Sequence, residues 1–359
     1  MKNIKSIAVK ISLEGKGVVN FDSGDLGFAV NQSINTTVKS RYSNVNYAKS
    51  YFKQDTLGDK KGMVRGLRIS ADCLRHGIHI EGHPFHTPNV ALNDLAKIHY
   101  LANVDTFLRG YLITNTGERR KSCYSITSAH EVSGAKLTLE MLSRSGAKEQ
   151  GKEGEAGDTT LFARDSVGNT RYEAEMFIDV SELAMVSLSD LADRRAVIDD
   201  LVPAYTKALS ENLSSPIGDP AYYIKKGSAY IIPEKGILLN SNQIRTLVDV
   251  LLKKVSQVNI TKSQTGYAKV TEIQIKGISD PLKDSGEEGF VKIFSEGRYL
   301  GAPLNQVIES FDLLYTKRDF TESENLIHTI EEEVLKVKKA ASDKKKATSD
   351  KKKATKGTE

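Results

Sequence analysis

Residues 65–76 read RGLRISADCLRH, a stretch in which a basic, extended segment leads into a helix. Ser70 stands where a capping residue is needed, so we predict a short helix over Ala71–His76. Gly77 is a natural end for that helix, because glycine readily adopts the backbone conformation that closes one. Asp72, Arg75 and His76 recur at helical spacing and share its polar face.

The chain opens with a strand. Ile7, Val9, Ile11 and Leu13 alternate with smaller or polar residues, which is the period of a strand with one buried face. The segment that follows, about 14–66, is rich in Gly, Asn and Ser, and we predict a long basic loop with short strands near Phe28–Val30 and Asn35–Val38. Loops of this length inside a compact domain are usually functional.

Helices and strands interleave along the rest of the chain. The clearest helix follows Ser241, where apolar residues from Ile244 to Val255 form an unbroken stripe. The other predicted helices are Asn89–Ala102 with Leu95, Ile98 and Ala102 inward, Asp190–Leu209 interrupted at Pro203, Leu304–Tyr315, and Thr321–Val337 with a Thr321 and Glu324 capping box. The other predicted strands are Phe107–Thr114, Lys121–Thr127, Lys136–Leu142, Thr160–Val167, Arg171–Val180 around a turn at Gly168 and Asn169, Lys269–Lys276 and Phe290–Phe294. This order predicts an α+β fold in a single domain over residues 1–335, with insertions that include a flexible excursion at about 143–158.

The composition is that of a globular protein. The chain has 359 residues, of which 39% are hydrophobic and 27% are charged, enough for one large domain with a buried core. No apolar run approaches the roughly 18 residues that cross a membrane, and Met1–Asn20 lacks the apolar block of a signal peptide. Two cysteines, Cys73 and Cys123, cannot form a disulfide framework. We therefore expect a cytoplasmic protein without a membrane partner.

The net charge of +5 comes from the end of the chain. Residues 336–359 hold 10 Lys against three acidic residues, a net +7, so the remaining residues sum to −2. The sequence SDKKKAT stands there twice, at Ser342–Thr348 and Ser349–Thr355, and has no apolar residue larger than Ala. We predict a disordered Lys-rich tail over 336–359. It is either a solubilising terminus or an arm that binds polyanions without specificity.

A second concentration of positive charge lies at Lys39–Arg75. Nine basic residues stand there against three acidic ones, a net +6 in a body that is otherwise acidic. Tyrosines interleave with the cations, a mixture that follows a phosphate backbone and offers rings for bases. Arg65 and Arg68 also bring charge to the start of the predicted helix, where an anion can bind. The alternative is the solvated face of a loop. The candidate nucleic-acid contacts are Arg41, Tyr42, Lys49, Tyr51, Lys53, Lys60, Lys61, Arg65, Arg68, Ser70, Arg75 and His76, with a second basic group at Arg119, Arg120 and Lys121.

Catalytic and metal motifs are weaker. Cys73, His76, His79, His83 and His86 have atoms suited to zinc, but all lie within 14 residues, unlike the separated ligand pairs of structural zinc sites. Asp22 and Asp25 are the best-placed carboxylates for metal-assisted phosphoryl chemistry, with turn formation as the alternative. Arg109-Gly110-Tyr111 matches the first three residues of an RNA-recognition strand motif, from which the next two depart. We predict no cofactor, no metal and no catalytic residue, with Asp22 and Asp25 kept as the alternative.

Several stretches together resemble a known family. They are the N-terminal strand with its basic segment, RGLRISADCLRH at Arg65–His76, FLRGYLIT at Phe107–Thr114 and RRKSCYSITSA at Arg119–Ala129. They look like the backbone subunit of type I CRISPR-Cas surveillance complexes, with the look of a type I-F variant, in the repeat-associated RNA-binding superfamily. The resemblance implies a modified RRM, or ferredoxin-like, core with long insertions and a β-hairpin thumb. The family's R-x-S-x-x-x-x-[RK] helix start is matched by Arg68, Ser70 and Arg75, which the resemblance implies grip guide phosphates.

The same resemblance implies how such a subunit works. It would bind CRISPR RNA, polymerise with copies of itself into a helical filament, meet other CRISPR-associated subunits at the two ends, and present the guide to target DNA without catalysis. For the thumb we choose the hairpin at about 221–232, with Tyr223, Lys225 and Lys226. Two alternatives stay open. One is a type III-like backbone subunit that cuts RNA with Asp22 or Asp25, and the other is a metal-binding structural protein organised by the histidine run.

Overall fold

A computed structural model of the chain describes most of its centre and less of its ends. The described residues are 3–17, 21–22, 44–48, 50–57, 60–79, 93–114, 116–132, 137–145, 159–189, 194–226, 232–262, 266–280, 282–284, 286–301, 304–305, 310–311, 314–319, 321–329, 332 and 336. For 21–22, 44–48, 50–57, 60–66, 137–145, 159–167, 262 and 310, only the backbone is described.

The described elements alternate between strands and helices. The strands, β1 to β22 in chain order, are Asn3–Ile4, Ser6–Gly17, Phe21–Asp22, Asn44–Ala48, Ser50–Leu57, Lys60–Ile69, Tyr111–Leu112, Arg119–Arg120, Tyr124–Ile126, Ala129–Glu131, Leu137–Ser145, Thr159–Val167, Asn169–Asp179, Met185–Ser187, Ala221–Lys225, Glu234–Leu238, Asn259–Lys262, Gly266–Ile278, Val291–Ser295, Arg298–Tyr299, Ser310–Phe311 and Tyr315–Arg318. The helices, α1 to α6, are Ala71–His79, Asp94–Ala102, Val104–Arg109, Val180–Ala184, Val202–Asn212 and Ser241–Ser256, with a 3-10 turn at Asp199–Leu201 and a helical stretch at 321–329. The predicted α+β class is confirmed.

One large antiparallel sheet forms the centre of the described chain. Its strand order is β20, β19, β18, β2, β13, β10, β6, β5, with β17 also beside β18 and β9 also beside β13. The strand predicted at Ile7–Leu13 is β2, which lies in the middle, antiparallel to β13 on one side and to β18 on the other. The N-terminal strand therefore organises residues far along the chain.

The two faces of this sheet differ. Ile7, Val9, Ile11 and Leu13 of β2 are at most 2% exposed, and the same alternation buries every second residue of β13. Helices α1, α4 and α6 contact strands of the sheet on this side, and the hydrophobic core lies between them. The other side of β2, β13 and β18, which carries Lys10, Glu175, Phe177 and Lys276, is called the open face below.

The longest helix matches its prediction. In α6 the stripe Ile244, Leu247, Val248, Leu251 and Val255 is at most 1% exposed. Asn240 and Gln243 cap its start, since each side chain accepts from the backbone N–H of the other. Burying each of these side chains contributes about 2 kcal/mol, so α6 anchors the helical layer to the sheet.

The structure also describes smaller sheets. β11, β12, β4 and β3 form one in that order, and β14, β16, β15 and β22 form another. The two predicted strands around Gly168 are present as β12 and β13 but join different sheets, so the turn between them does not make a hairpin.

The segment predicted as a long loop is mostly strand where it is described. β2 runs on to Gly17, and β4, β5 and β6 occupy much of 44–69. β5 and β6 pair continuously, from Ser50 opposite Leu67 to Leu57 opposite Lys60. The prediction is wrong there because a ladder of backbone hydrogen bonds forms these strands without a hydrophobic period. The short strands predicted at 28–30 and 35–38 lie outside the described residues.

Two predictions before residue 115 are also wrong, one on a strand boundary and one on the burial of a side chain. Phe107 lies in α3, whose cap Asn103 accepts from the N–H of Asp105 at 2.9 Å, and a strand begins only at Tyr111. In α2, Ile98 and Ala102 are buried as predicted, but Leu95 is 66% exposed.

Later boundaries shift for local reasons. α5 begins at Val202 with Pro203 in its first turn, where a missing N–H costs nothing, so this proline starts the helix rather than interrupting it. The second half of the helix predicted at Leu304–Tyr315 is wrong, because Ser310–Phe311 and Tyr315 onward are strand. Asp319, not Thr321, caps the helical stretch 321–329, accepting from the N–H of Glu322 at 3.1 Å.

Within the described ranges, no helix is both long enough and apolar enough to span a bilayer. The tail predicted over 336–359 lies outside the described residues apart from residue 336, and so does the excursion from 146 to 158.

Candidate nucleic-acid interface

The predicted helix start lies where β6 ends at the main sheet. Ser70 Oγ accepts from the N–H of Cys73 at 3.4 Å, which confirms Ser70 as the cap of α1. The N–H of Ala71 donates to Ser128 Oγ at 3.3 Å. Two early amides of α1 are thus satisfied by hydroxyls of the protein, which leaves fewer donors for the anion predicted there. The helix also continues through Gly77 to His79 instead of ending before it.

Arg68 lies on the open face of the sheet. It stands opposite His130 of β10, between Leu67 and Ile69, which are 2% and 1% exposed on the helix side. Because side chains alternate along a strand, Arg68 points away from the helices. Its Nε is screened from solvent and has no acceptor within the described residues. A buried donor without a partner costs about 1–3 kcal/mol, which a bound oxyanion would offset.

Arg75 lies on the helix side instead. Its guanidinium donates to the carbonyl of Arg109 at 3.2 Å and stands 5.3 Å from the centre of the Tyr124 ring. Tyr124 is 4% exposed and lies opposite Ile178 on the buried face. Arg68 and Arg75 therefore lie on opposite sides of the sheet and do not form one phosphate site. His76, next along α1, is exposed.

Arg120 is committed inside the fold. It is 7% exposed, and its guanidinium donates to the carbonyls of Phe107 at 3.1 Å, Met185 at 2.8 Å and Glu182 at 2.8 Å. The guanidinium also stacks 3.7 Å from the centre of the Phe107 ring. The prediction that Arg120 contacts RNA is therefore wrong. Its guanidinium donates to carbonyls at helix ends, where it stabilises the fold.

The neighbours of Arg120 are more accessible. Arg119 is half-buried, and the side chain of Lys121 is 64% exposed, 3.8 Å from Glu182. The nearby Arg109-Gly110-Tyr111 is not an RNA-recognition strand, because Arg109 ends α3, Gly110 closes it with φ 78°, and the buried Tyr111 hydroxyl donates to a backbone carbonyl.

His79 belongs to a buried polar cluster of His79, Asp105, Tyr124 and Lys254. Its Nδ1 lies 3.3 Å from Asp105 Oδ1 and its Nε2 lies 2.8 Å from the Tyr124 hydroxyl. Lys254 Nζ lies 3.0 Å from the same Asp105 oxygen. Burial by itself raises the pKa of Asp105, but hydrogen bonds from His79 and Lys254 and their charges bring that pKa below its usual value.

This cluster bears on the predicted histidine run. His79 is held by packing and hydrogen bonds, while His83 and His86 lie outside the described residues. In the part of the chain that the structure describes, no group of His, Cys, Asp and Glu is arranged to hold a metal ion.

Much of the predicted basic stretch maps to the β5–β6 hairpin. Lys53 stands opposite Val64, Lys61 opposite Thr56, and Arg65 opposite Phe52. In the described registers β6 meets β10 only through Arg68 and Ile69, so the rest of the hairpin extends from the edge of the sheet.

The other predicted residues of this region are placed as follows. Lys60 and Tyr51 lie in the same hairpin, and Asp22 is in β3 opposite Tyr47. Four predicted residues lie outside the described residues: Arg41, Tyr42, Lys49 and Asp25.

The first arm of the predicted thumb lies inside a sheet. β15 runs between β16 and β22, and Tyr222 stands opposite both Lys235 and Arg318. Lys225 Nζ donates to Ser181 Oγ at 2.8 Å, and burial raises the pKa of Tyr223. Lys226 is exposed, and residues 227–231 lie outside the described residues. The strand that pairs with β15 next along the chain begins at Glu234, beyond the end of the predicted hairpin.

One exposed ring escaped the sequence reasoning. Phe177 is 43% exposed on the open face. The signal was present, since the residues of β13 that alternate with the buried ones are otherwise polar, and Phe177 breaks that rule.

The sequence matches a class of CRISPR-associated proteins of type I. The family described as Type I-Fv CRISPR-associated protein Cas7fv-like matches residues 3–282. The match covers most of the chain, which therefore belongs to the Cas7fv-like family. The predicted resemblance to a type I backbone subunit, including its type I-F variant, is confirmed.

Two solved structures are similar over most of the chain at low identity. "CRISPR RNA-guided surveillance complex" is 14% identical, with 84% of this chain and 81% of that chain covered and a TM-score of 0.35. "CRISPR RNA-guided surveillance complex, pre-nicking" is 11% identical, with 85% and 88% covered and a TM-score of 0.35. The family assignment rests on the family match, not on these similarities. Among curated proteins, none matches the chain.

Proposed function

We propose that the chain is the guide-RNA-binding backbone subunit of a type I CRISPR surveillance complex and has no catalytic activity of its own. The family match over residues 3–282 carries this proposal. The net +6 at Lys39–Arg75 supports it, because a cationic segment in an otherwise acidic body suits a phosphate chain. The protein would hold the RNA backbone, and base pairing with target DNA would supply sequence specificity.

We further propose that the core is RRM-like, or ferredoxin-like. In support, a strand, helix, two strands, helix, strand order runs through β2, α1, β9 with β10, β13, α6 and β18. These strands lie in the sheet in the order β18, β2, β13, β10 with antiparallel neighbours, as a βαββαβ unit requires.

The proposed RNA contacts now centre on the β6–α1 junction. Arg68 and Ser70 stand there, His76 follows in α1, and the adjoining hairpin carries Tyr51, Lys53, Lys60, Lys61 and Arg65. Arg119 in β8 and Lys121 directly after it stay proposed contacts. Arg41, Tyr42 and Lys49 are retained from the sequence. Arg75 stays a proposed RNA contact, but its guanidinium also donates to the carbonyl of Arg109 at the end of α3.

The proposed thumb remains the segment 221–232, with Tyr223 and Lys226 as its RNA contacts. Lys225 would tie the base of that hairpin to α4 through Ser181. Copies of the chain would follow one another along the guide, with other CRISPR-associated subunits at the two ends.

The direct test is to purify the protein from cells that carry a CRISPR array and to sequence the RNA that comes with it. The proposal expects spacer-derived guides, enriched over the same preparation from cells without an array. RNA that merely follows cellular abundance would refute a guide-binding role.

Arg68→Ala tests the interface itself. Each phosphate contact on a single strand contributes roughly 0.7 to the slope of log affinity against log salt, so the variant should bind unrelated RNA sequences more weakly and with a slope smaller by about that amount. Lys207→Ala, at an exposed cation of α5, is the matched control. Equal affinity and slope in Arg68→Ala and wild type would remove Arg68 from the interface.

The ribonuclease alternative has its own test. The proposal expects no cleavage of guide-complementary RNA in the presence of Mg²⁺. Cleavage that disappears in Asp22→Ala or Asp25→Ala would make the chain an enzyme instead.

A further inference from the structure

Phe177 borders a cleft on the open face. It stands opposite Ala8 of β2, and Ala8 stands opposite Lys276 of β18. The small side chain of Ala8 leaves room above the sheet between the ring and the lysine. A cleft of about 320 Å³ lies there.

Two lysines of the sheet contact the far wall of this cleft. Lys276 Nζ donates to the carbonyl of Gly286 at 2.7 Å, and Lys10 forms an ion pair with Glu287. The same two ammonium groups lie 5.9 Å and 4.6 Å from the centre of the Phe290 ring. Each cation–π contact of this kind contributes about 0.5–1 kcal/mol, and Phe290 is a second aromatic boundary of the cleft.

The polar groups on the Phe177 side of the cleft suit the edge of a base better than a phosphate. Ser125, Thr127 and Glu175 line it beside Phe177 and are exposed. A carboxylate repels phosphate but accepts hydrogen bonds from the amino groups of bases. The cleft therefore favours a planar, apolar ring with hydrogen-bonding edges.

The cleft continues toward Arg68. An adjoining groove of about 660 Å³ shares Lys10, Thr127 and Glu175 with it and reaches His130. His130 stands opposite Arg68 on one side and Glu173 on the other. From Glu173 to Phe177 is four residues of one strand, about 13 Å, so a short stretch of single-stranded nucleic acid reaches from one to the other.

We propose that the cleft between Phe177 and Phe290 receives one unpaired base of the bound RNA, stacked on Phe177. This inference rests on the proposed function, because RNA has to be bound before a base enters. It adds a stacking site on the open face to the phosphate contacts at the β6–α1 junction.

The chain contains no tryptophan, which makes a fluorescence test possible in the full-length protein. Phe177→Trp introduces a single tryptophan at the proposed platform, which is excited selectively at wavelengths where the 14 tyrosines do not absorb, and an unstructured oligouridylate is the probe. Stacking should quench its emission at saturation. Leu95→Trp, at a residue 66% exposed on α2, is the matched control and should change little.

A second variant measures the energetic share of the stack. Phe177→Ala should weaken oligouridylate binding about tenfold and leave the salt slope unchanged, because no phosphate contact is lost, while Phe177→Tyr should bind like wild type. Salt-sensitive binding by wild type together with equal quenching in both tryptophan variants, or with unchanged affinity in Phe177→Ala, overturns the inference alone. Absence of RNA binding by wild type overturns the proposed function and this inference with it.

Discussion

At the scale of single residues, the end of α3 shows how arginines are used inside this fold. The last carbonyls of a helix lack partners within it and carry its negative dipole end. Arg120 donates to the carbonyl of Phe107, Arg75 donates to that of Arg109, and Cys123 Sγ lies 3.4 Å from that of Leu108. The sequence predicts both arginines as nucleic-acid contacts, but in the structure they donate to the free carbonyls at the end of α3.

Burial also settles the chemistry of Cys123. It is fully buried, and burial raises the pKa of its thiol to about 12. The thiolate is the reactive form, so Cys123 is inert in the folded protein.

Asp105→Asn should destabilise the protein in a pH-dependent way. The pKa of Asp105 lies below its usual value in the fold, so its charge stabilises the folded state above about pH 4, the unfolded pKa, and this contribution is lost as pH falls through the folded pKa. At pH 7 we expect a loss of about 2 kcal/mol in unfolding free energy. Urea unfolding at pH 7 and pH 3 checks this.

The control is the direction in which the unfolding free energy changes with pH. Wild type should lose more unfolding free energy between pH 7 and pH 3 than Asp105→Asn, whereas exposed Asp200→Asn should follow wild type at both pH values. Equal losses in wild type and Asp105→Asn would show that the cluster does not depend on that charge.

At the scale of elements, Gly110 couples α3 to the β7–β8 pair. It has φ 78°, and a Cβ there would lie 2.5 Å from the N of Ser122 and 2.6 Å from the carbonyl O of Arg120. Backbone atoms cannot yield as a flexible side chain would. The turn therefore requires glycine both for its conformation and for space.

Gly110→Ala should lower the free energy of unfolding by more than Gly117→Ala. Gly117 has φ 79°, but a Cβ there would meet nothing within 4 Å, so its substitution meets only the strain of a left-handed backbone, about 1–2 kcal/mol. Thermal or urea unfolding of the two variants separates the two effects. Equal destabilisation would mean that the backbone near Ser122 moves aside freely.

Which elements the sequence predicts depends on how each one is stabilised. β2 and α6 bury one face and expose the other, so their periods are visible in the sequence. α3 shows no helical periodicity in its sequence, because four consecutive residues are buried: Asp105, Thr106, Phe107 and Leu108. β5 and β6 are stabilised by pairing with each other. The sequence of either segment alone does not show this pairing.

The candidate site was predictable to the same degree. Ser70 as a cap follows from local chemistry and is confirmed. The separation of Arg68 from Arg75 is not local, because it depends on strand register and on the packing of α1 against β9. Phe177 was visible as a break in a polar alternation, but its cleft needs the wall that Lys10 and Lys276 hold in place.

At the scale of the whole molecule, the charge is divided between regions. The segment 336–359 carries +7, the stretch Lys39–Arg75 carries +6, and the rest is acidic. Net charge governs nonspecific attraction to polyanions, whereas local clustering governs where a strand is held. The two cationic regions should therefore act separately.

Removing residues 336–359 should leave guide binding nearly unchanged while it reduces retention on an anionic resin. The net charge changes from +5 to −2, but the proposed interface stays intact. Guide affinity and salt elution on heparin measure the two effects. A large loss of guide affinity would place the tail in the interface.

The central position of β2 has a consequence for biosynthesis. Ile11 of this first long strand stands opposite Ala174 and Ile273, so both of its partners emerge from the ribosome long after it does. At about 5–20 residues per second, β18 follows β2 by on the order of 10–50 s. Until then β2 has at least one unpaired edge, the state from which chains aggregate. A chain that stops before Gly266 lacks β18, so one edge of β2 stays unpaired. An early termination would therefore yield an insoluble product rather than a smaller working subunit.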